Sequence, residues 1–99
     1  MYRVEYLPIA VDDLLEIEDY LNDFSPSAAD RFAEEVENRV TALAEYPLMC
    51  QAYEKDSFFR QMVIDDYLLF YSVDEKRHLV IIHRIFHHTR NISRRMLMR

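Results

Sequence analysis

The sequence predicts an α+β protein of two layers, in which two amphipathic helices pack on an antiparallel β-sheet. Three observations support this class. A short alternating run opens the chain, two stretches of helical periodicity follow it, and three β-rich runs separated by polar turns come last. A chain of 99 residues is long enough for one core, so residues 1–99 are expected to form a single domain.

The first quarter of the chain predicts a strand and then a helix. Residues 2–6 alternate apolar and charged side chains, and Pro8 suits the first turn of a helix. The expected apolar stripe of this helix consists of Ala10, Leu14, Ile17 and Leu21. Asp12 and Asp13 are expected to lie largely on the opposite, solvated side, near the positive end of the helix dipole.

A second helix is predicted after a short break. Ser25 is a suitable N-cap and Pro26 a suitable first helical residue. Its expected apolar stripe consists of Ala29, Phe32, Ala33, Val36, Val40 and Leu43. The helix should end before Pro47, which completes an antiparallel helical hairpin. Residues 48–57 show no clear period and are expected to form a loop.

Three β-rich runs then predict a meander over residues 58–86. The break at Asp65 and Asp66 fits a two-residue hairpin turn, which places Arg60 opposite Tyr71. The second break, residues 74–77, fits a four-residue loop and places Tyr71 opposite Val80. Beyond the meander, the spacing of residues 92 and 96 allows a short C-terminal helix.

This register assigns the side chains to two faces of the sheet. The face expected beneath the helices carries Phe59, Val63, Leu68, Phe70, Leu79, Ile81 and Ile85, together with the polar Gln61, Ser72 and His83. The face expected to stay open carries Arg60, Met62, Ile64, Tyr67, Leu69, Tyr71, His78, Val80, Ile82, Arg84 and Phe86. Such a face would expose an apolar patch, so a protein partner is expected to cover part of it.

Composition excludes several classes of protein. Glycine is absent, which rules out glycine-rich phosphate loops. The single cysteine, Cys50, excludes an internal disulfide and agrees with a reducing cytoplasm. No apolar run approaches the roughly 18–20 residues of a membrane span, and the N-terminal residues lack a signal-peptide pattern. We therefore expect a cytoplasmic protein without membrane contact, and with neither a metal nor another cofactor.

Charge is distributed unevenly along the chain. The net charge is −6, yet residues 1–57 hold 4 basic and 14 acidic side chains, whereas residues 58–99 hold 8 basic and 4 acidic. A basic half beside an acidic half favours a surface that binds a polyanion or an acidic partner. Solvated carboxylates on ordinary helices explain the same asymmetry equally well.

Taken in chain order, the predicted elements and their sequence motifs resemble those of the RelE/ParE superfamily of bacterial type II toxins. The resemblance is carried by YRVEYLPIAVDDLLEI, SAADRF and LAEYP, the strand of Arg60, YLLFYSVDE, and VIIHRIFHHTRN, and it covers essentially the whole chain. It implies a RelE-like fold with the first strand beside the last one. It also implies a cytoplasmic, growth-inhibiting toxin, linked to plasmid stabilisation, that a cognate antitoxin wraps and neutralises, with larger toxin–antitoxin assemblies possible.

The superfamily has two known activities, and each is a candidate function for this chain. RelE-like toxins are mRNA endoribonucleases that act on the ribosome, whereas ParE-like toxins poison DNA gyrase without established nuclease chemistry. We expect ribosome-dependent mRNA cleavage first, with gyrase inhibition or an inactive interaction module as alternatives. Only Lys55 and Lys76 are lysines, a departure from the basic character of the RNA-cleaving branch.

Metal-free RNA cleavage requires a base for the 2′-hydroxyl, an acid for the leaving oxygen and cations for the phosphate. The predicted catalytic residues are His87, His88, Arg60, Arg84 and Arg90, and the predicted substrate-binding residues are Tyr67, Tyr71 and Phe86. Each has a structural alternative: the histidines as a polar strand exit, Arg60 and Arg84 as partners of turn carboxylates, and the tyrosines as packing residues.

Overall fold

A computed structural model describes residues 1–92 and 96–97. The elements in chain order are β1 (Arg3–Tyr6), α1 (Pro8–Phe24), α2 (Pro26–Glu45), β2 (Ala52–Tyr53), β3 (Asp56–Ile64), β4 (Tyr67–Asp74) and β5 (Leu79–His87). This confirms the α+β class, the N-terminal strand, the helical hairpin and the meander. The short strand β2 replaces part of the predicted loop. The predicted C-terminal helix falls mainly on residues 93–95 and 98–99, which lie outside the described residues.

The helical hairpin is joined by a single residue, Ser25. Its N–H donates to the carbonyl of Leu21 at 3.0 Å and ends α1, and its carbonyl accepts from the N–H of Ala28 at 3.0 Å and begins α2. Proline stands at the start of both helices, where its missing N–H removes no helical hydrogen bond. Among the described residues, no helix is both long enough and apolar enough to cross a membrane.

The five strands form one sheet in the order β1-β5-β4-β3-β2. β1 runs parallel to β5, with Arg3 beside Leu79, and the other neighbouring pairs are antiparallel. The predicted register of the first hairpin is confirmed, because Arg60 lies opposite Tyr71 in the structure. The position of β1 beside the last strand agrees with the RelE-like arrangement.

The predicted register of β4 against β5 is wrong by two residues. Tyr71 lies opposite Ile82 rather than Val80, since the loop between these strands spans residues 75–78. A shift of two residues keeps every side chain on its predicted face. His78, at the end of this loop, has a φ of 50°, a conformation that costs a residue other than glycine some strain.

A β-bulge then changes the faces along the second half of β5. Phe70 lies opposite Arg84 while its neighbour Tyr71 lies opposite Ile82, so β5 carries one extra residue, His83, at this point. Beyond the bulge, Phe86 therefore lies on the face of Phe70, opposite to the prediction.

The helices cover the face that was predicted to stay open. The main core joins α1 and α2 to strand residues that share this face: Met62, Ile64, Tyr67, Leu69, Tyr71, Val80, Ile82 and Ile85. Leu69, Val80 and Ile82 have no exposed surface, so the predicted exposed apolar patch is wrong. The physical reason is that both faces of the meander are apolar, and the hydrophobic pattern does not distinguish between them.

Ile92, Met96 and Leu97 cover part of the opposite face. Phe59, Phe70, Phe86 and Leu97, here called the aromatic cluster, form a second buried group against which Tyr53, Leu68, Ile92 and Met96 pack. His83 lies on this face as well, where its Nε2 shares a hydrogen bond of 2.8 Å with the Ser72 hydroxyl. The sheet is therefore buried on both sides around Phe70.

Tyr71 is expected to make the stability of the protein fall in strong alkali. Its hydroxyl donates to the carbonyl of Pro47 at 2.9 Å, and burial raises the pKa of this phenol above its ordinary value. Because the folded state binds the proton more tightly, the stabilisation is complete below about pH 10, the pKa of a free tyrosine, and is lost as the pH rises further. Urea unfolding at neutral and alkaline pH should show this loss.

A Tyr71→Phe variant supplies the comparison. Losing the hydrogen bond to Pro47 should cost about 1 kcal/mol at neutral pH, and the loss above pH ~10 should become smaller than in the wild type. An unchanged alkaline loss in the variant would show that other groups cause it.

Candidate functional site

The end of β5 is held in place by a buried carboxylate from α1. β1 pairs with β5 only as far as Ile82, which leaves the next part of this strand edge without a neighbouring strand. Asp13 occupies the gap: its Oδ2 accepts from the N–H of Ile85 at 3.0 Å and from Nε of Arg84 at 2.8 Å, and its Oδ1 accepts from Nη2 of Arg84 at 3.0 Å. The expectation that Asp13 faces solvent is wrong, since it is 8% exposed.

A pocket of about 360 Å³ opens beside this pair, between α1 and the ends of β4 and β5. We call it the His87 pocket. It is lined by Asp13, Glu16, Ile17, Tyr20, Tyr67, Ile85, Phe86, His87 and Arg90. Its buried wall is aromatic and aliphatic, while its rim carries imidazole, guanidinium and carboxylate groups. Such a combination suits binding of a polar group that has an apolar part.

One exposed histidine, His87, lines the His87 pocket, and a second, His88, lies beside it. The rings of His87 and His88 stack with their centroids 4.6 Å apart, and Tyr67 meets the His87 ring edge-on at 5.4 Å. Nδ1 of His87 accepts from the N–H of Thr89 at 3.2 Å and lies 2.7 Å from the Thr89 hydroxyl oxygen. A neutral His87 therefore carries its proton on Nε2, because Nδ1 accepts the hydrogen bond from Thr89.

Two arginines share the ring of Phe86. The guanidinium carbon of Arg84 lies 4.5 Å from the ring centroid and that of Arg90 lies 5.1 Å from it. Nη1 of Arg84 also donates to the carbonyl of Met96 at 3.2 Å, which links β5 to the C-terminal segment. Arg84 is thus bound by Asp13, by the carbonyl of Met96 and by the Phe86 ring, whereas Arg90 is exposed at the pocket rim.

The structure brings together some of the predicted site residues and separates others. His87, His88, Arg90, Tyr67 and Phe86 meet at or beside the His87 pocket. Arg60 and Tyr71 lie elsewhere, on the helix-covered face of the sheet. Nη1 of Arg60 donates to the carbonyl of Cys50 at 2.6 Å, and the ring of Tyr71 is fully buried, so it presents no face to a nucleotide base.

Four residues of α1 belong to this site and were not predicted there: Asp13, Glu16, Ile17 and Tyr20. A partial signal existed for Asp13, which stands three residues after Ala10 and four before Ile17 and so borders the apolar stripe. Its pairing with Arg84 joins residues 71 positions apart, which no sequence pattern indicated.

Electrostatics at the floor of the pocket keep Tyr67 protonated. Burial, the nearby phenol of Tyr20 and the carboxylate of Asp66 each raise the pKa of Tyr67 above its ordinary value. Across residues 1–92 and 96–97, no group of three His, Cys, Asp or Glu side chains is arranged to hold a metal ion.

Comparison with known proteins agrees with this architecture. The family model for the ParE toxin of type II toxin–antitoxin systems matches residues 4–92. Among solved structures, a chain of the RelBE2 toxin–antitoxin complex from Mycobacterium tuberculosis superposes with a TM-score of 0.62 at 23% identity, and the match covers 87% of this chain and 96% of that one. The search of curated proteins finds no match.

The helical hairpin on a mixed sheet, with the first strand parallel to the last, places this protein in the class of RelE-like toxin folds. The chain belongs to the family of ParE toxins of type II toxin–antitoxin systems, whose model spans nearly its whole length. It is therefore the toxin component of such a system.

Proposed function

We propose that this toxin arrests growth by binding a protein target, DNA gyrase, rather than by cutting mRNA. The family model that matches the chain describes ParE toxins, the branch for which the resemblance implies gyrase as target. The acidic balance of the chain points the same way, because binding to ribosomal RNA gains most of its affinity from cations placed against phosphates.

The observation that carries this proposal is the engagement of two predicted phosphate-binding arginines inside the fold. Asp13 binds Arg84 through two hydrogen bonds, and the carbonyl of Cys50 binds Arg60. A guanidinium already paired with a carboxylate adds little electrostatic stabilisation to a pentacoordinate phosphate. Of the three predicted arginines, Arg90 alone remains exposed, which is a weak clamp for phosphoryl chemistry.

A second candidate function, ribosome-dependent mRNA cleavage, is favoured by one specific arrangement. His87 and Arg90 line the same pocket, and the exposed ring of His88 stacks on that of His87. One imidazole could take the proton of the 2′-hydroxyl, the other could protonate the leaving oxygen, and Arg90 could face the phosphate. Under this alternative, Tyr67 and Phe86 would support the site from beneath.

The partner that restrains the toxin is proposed to be a cognate antitoxin. The solved structure similar to this chain is a toxin–antitoxin complex. In place of the predicted strand patch, α1 offers exposed apolar side chains, namely Val11, Leu15, Tyr20 and Phe24. An apolar surface of this kind on a small protein favours contact with another protein.

A supercoiling assay with the purified toxin tests the proposed target. We expect inhibition of DNA gyrase, and in cells we expect induction of the DNA-damage response and filamentation without mRNA cut at codon positions. A His87→Gln/His88→Gln variant should keep most of its toxicity, and His78→Asn, at another exposed histidine, is the matched control. Codon-positioned mRNA cleavage that disappears in the double variant alone would favour the nuclease instead.

A further inference from the structure

A second large cleft lies between α2 and the turn that joins β3 to β4. It has a volume of about 770 Å³, and Tyr67 is the only lining residue that it shares with the His87 pocket. We call it the acidic cleft, defined by a floor of Phe32 and Tyr67 and by rims that carry Glu34 on α2 and Asp65 and Asp66 at the turn. The proposed toxic activity uses none of these carboxylates.

The base of the acidic cleft consists of two aromatic rings that belong to the main core. Phe32 is 2% and Tyr67 is 8% exposed, and their ring centroids lie 5.0 Å apart. Leu21 and Ala28, which are half-buried beside these two rings, supply the apolar surface that stays accessible in the cleft. Such a floor can bind an aliphatic or aromatic side chain, which a free metal ion or a simple polyamine does not supply.

The rims are strongly negative. Four carboxylates line the cleft, those of Glu34, Glu35, Asp65 and Asp66, against one guanidinium, that of Arg31. Glu35 is paired with Arg39 at 2.9 Å on the outer side of α2. Within the described part of the chain, no salt bridge occupies the other three carboxylates, and together they repel a polyanion such as RNA or DNA.

We propose that the acidic cleft binds a basic amphipathic segment of the antitoxin. An apolar side chain of that segment packs on Leu21 and Ala28, and its lysines or arginines face Glu34, Asp65 and Asp66. The partner is a protein segment because the floor is apolar, and it is basic because both rims are acidic. This inference depends on the proposed function only in naming an antitoxin as the partner.

The turn allows the charge to be removed with little risk to the fold. Asp65 has a φ of 51°, in the left-handed region that asparagine tolerates as well as aspartate does. Asp65→Asn/Asp66→Asn therefore removes two charges while keeping side-chain size and turn chemistry. Glu45→Gln/Glu54→Gln removes the same charge at exposed positions that do not line the cleft, and serves as the matched control.

The first measurement is binding of the purified full-length chain to two synthetic helical peptides, followed by calorimetry. One peptide has a leucine face flanked by lysines, and the other replaces every lysine with glutamate. We expect the lysine peptide to bind at least about tenfold more tightly, more weakly in high salt, and about tenfold more weakly to Asp65→Asn/Asp66→Asn than to the control. Equal binding of both peptides, or equal effects of the two variants, would overturn the proposal.

The second measurement names the partner. The protein encoded by the neighbouring reading frame is tested for binding to the wild-type chain, to Asp65→Asn/Asp66→Asn and to the control. Weaker binding to the first variant alone supports the antitoxin as the occupant, and equal binding to all three overturns it. Because neither measurement uses toxicity, a failure to inhibit gyrase would reject the proposed target and leave this inference standing.

Discussion

Replacing Asp13 with alanine should lower the free energy of unfolding by about 3 kcal/mol, among the largest losses open to a single polar side chain here. The variant leaves the guanidinium of Arg84 without its carboxylate partner. Because the Arg84 side chain is only 14% exposed, water does not fully replace that partner. It also removes the acceptor of the Ile85 N–H at the unpaired edge of β5. Urea denaturation followed by circular dichroism would measure the loss.

Two further variants separate the charge pair from its other effects. Asp12→Ala removes an exposed carboxylate one residue away and should change stability by less than about 0.5 kcal/mol. Adding Arg84→Met to Asp13→Ala should recover part of the loss, because an apolar replacement no longer buries an unpaired charge. Equal losses for Asp12→Ala and Asp13→Ala would contradict the structural role given to Asp13.

Phe70→Ala should cost about 3–5 kcal/mol, since it removes the ring at the centre of the aromatic cluster. Phe70 is fully buried, with Tyr53 at 5.0 Å and Phe86 at 6.0 Å between ring centroids. A cavity there also removes part of the surface on which Ile92, Met96 and Leu97 pack. We expect faster proteolysis of the C-terminal residues in the variant, together with a lower midpoint of thermal unfolding.

Phe24→Ala is the matched control for this substitution. Phe24 is 72% exposed at the end of α1, so its truncation should cost little stability. If the two variants unfold at the same temperature, then the second face of the sheet does not contribute a core of its own.

The sequence predicted most of this fold because its signals were local. Proline at the start of each helix, Ser25 between them and the two-residue turn at Asp65 each determine structure within a few positions. No local signal of this kind determines which face of the sheet the helices cover. Apolar side chains occupy both faces. The face that packs against the helices is therefore determined by packing throughout the fold and not by the hydrophobic period of any strand.

The candidate site was predictable in type but not in geometry. The clustering of His87, His88 and Arg90 follows from their adjacency in sequence. In the structure His87 and Arg90 line one pocket, and His88 stacks on His87. The placement of Arg84 failed at the β-bulge, which moved this residue to the face of Phe70 and Phe86, from which its guanidinium reaches Asp13 beside the edge of β5. An inserted residue of this kind leaves little trace in hydrophobic periodicity.

The pairing of Arg3 with Leu79 also has a consequence for how the toxin matures. β1 lies next to β5, so its partner emerges from the ribosome after every other described helix and strand. The helical hairpin has local contacts and can form early, whereas joining β1 to β5 requires closing a long loop. The sheet is therefore expected to be completed later in folding than the helical hairpin, only after β5 has been synthesised.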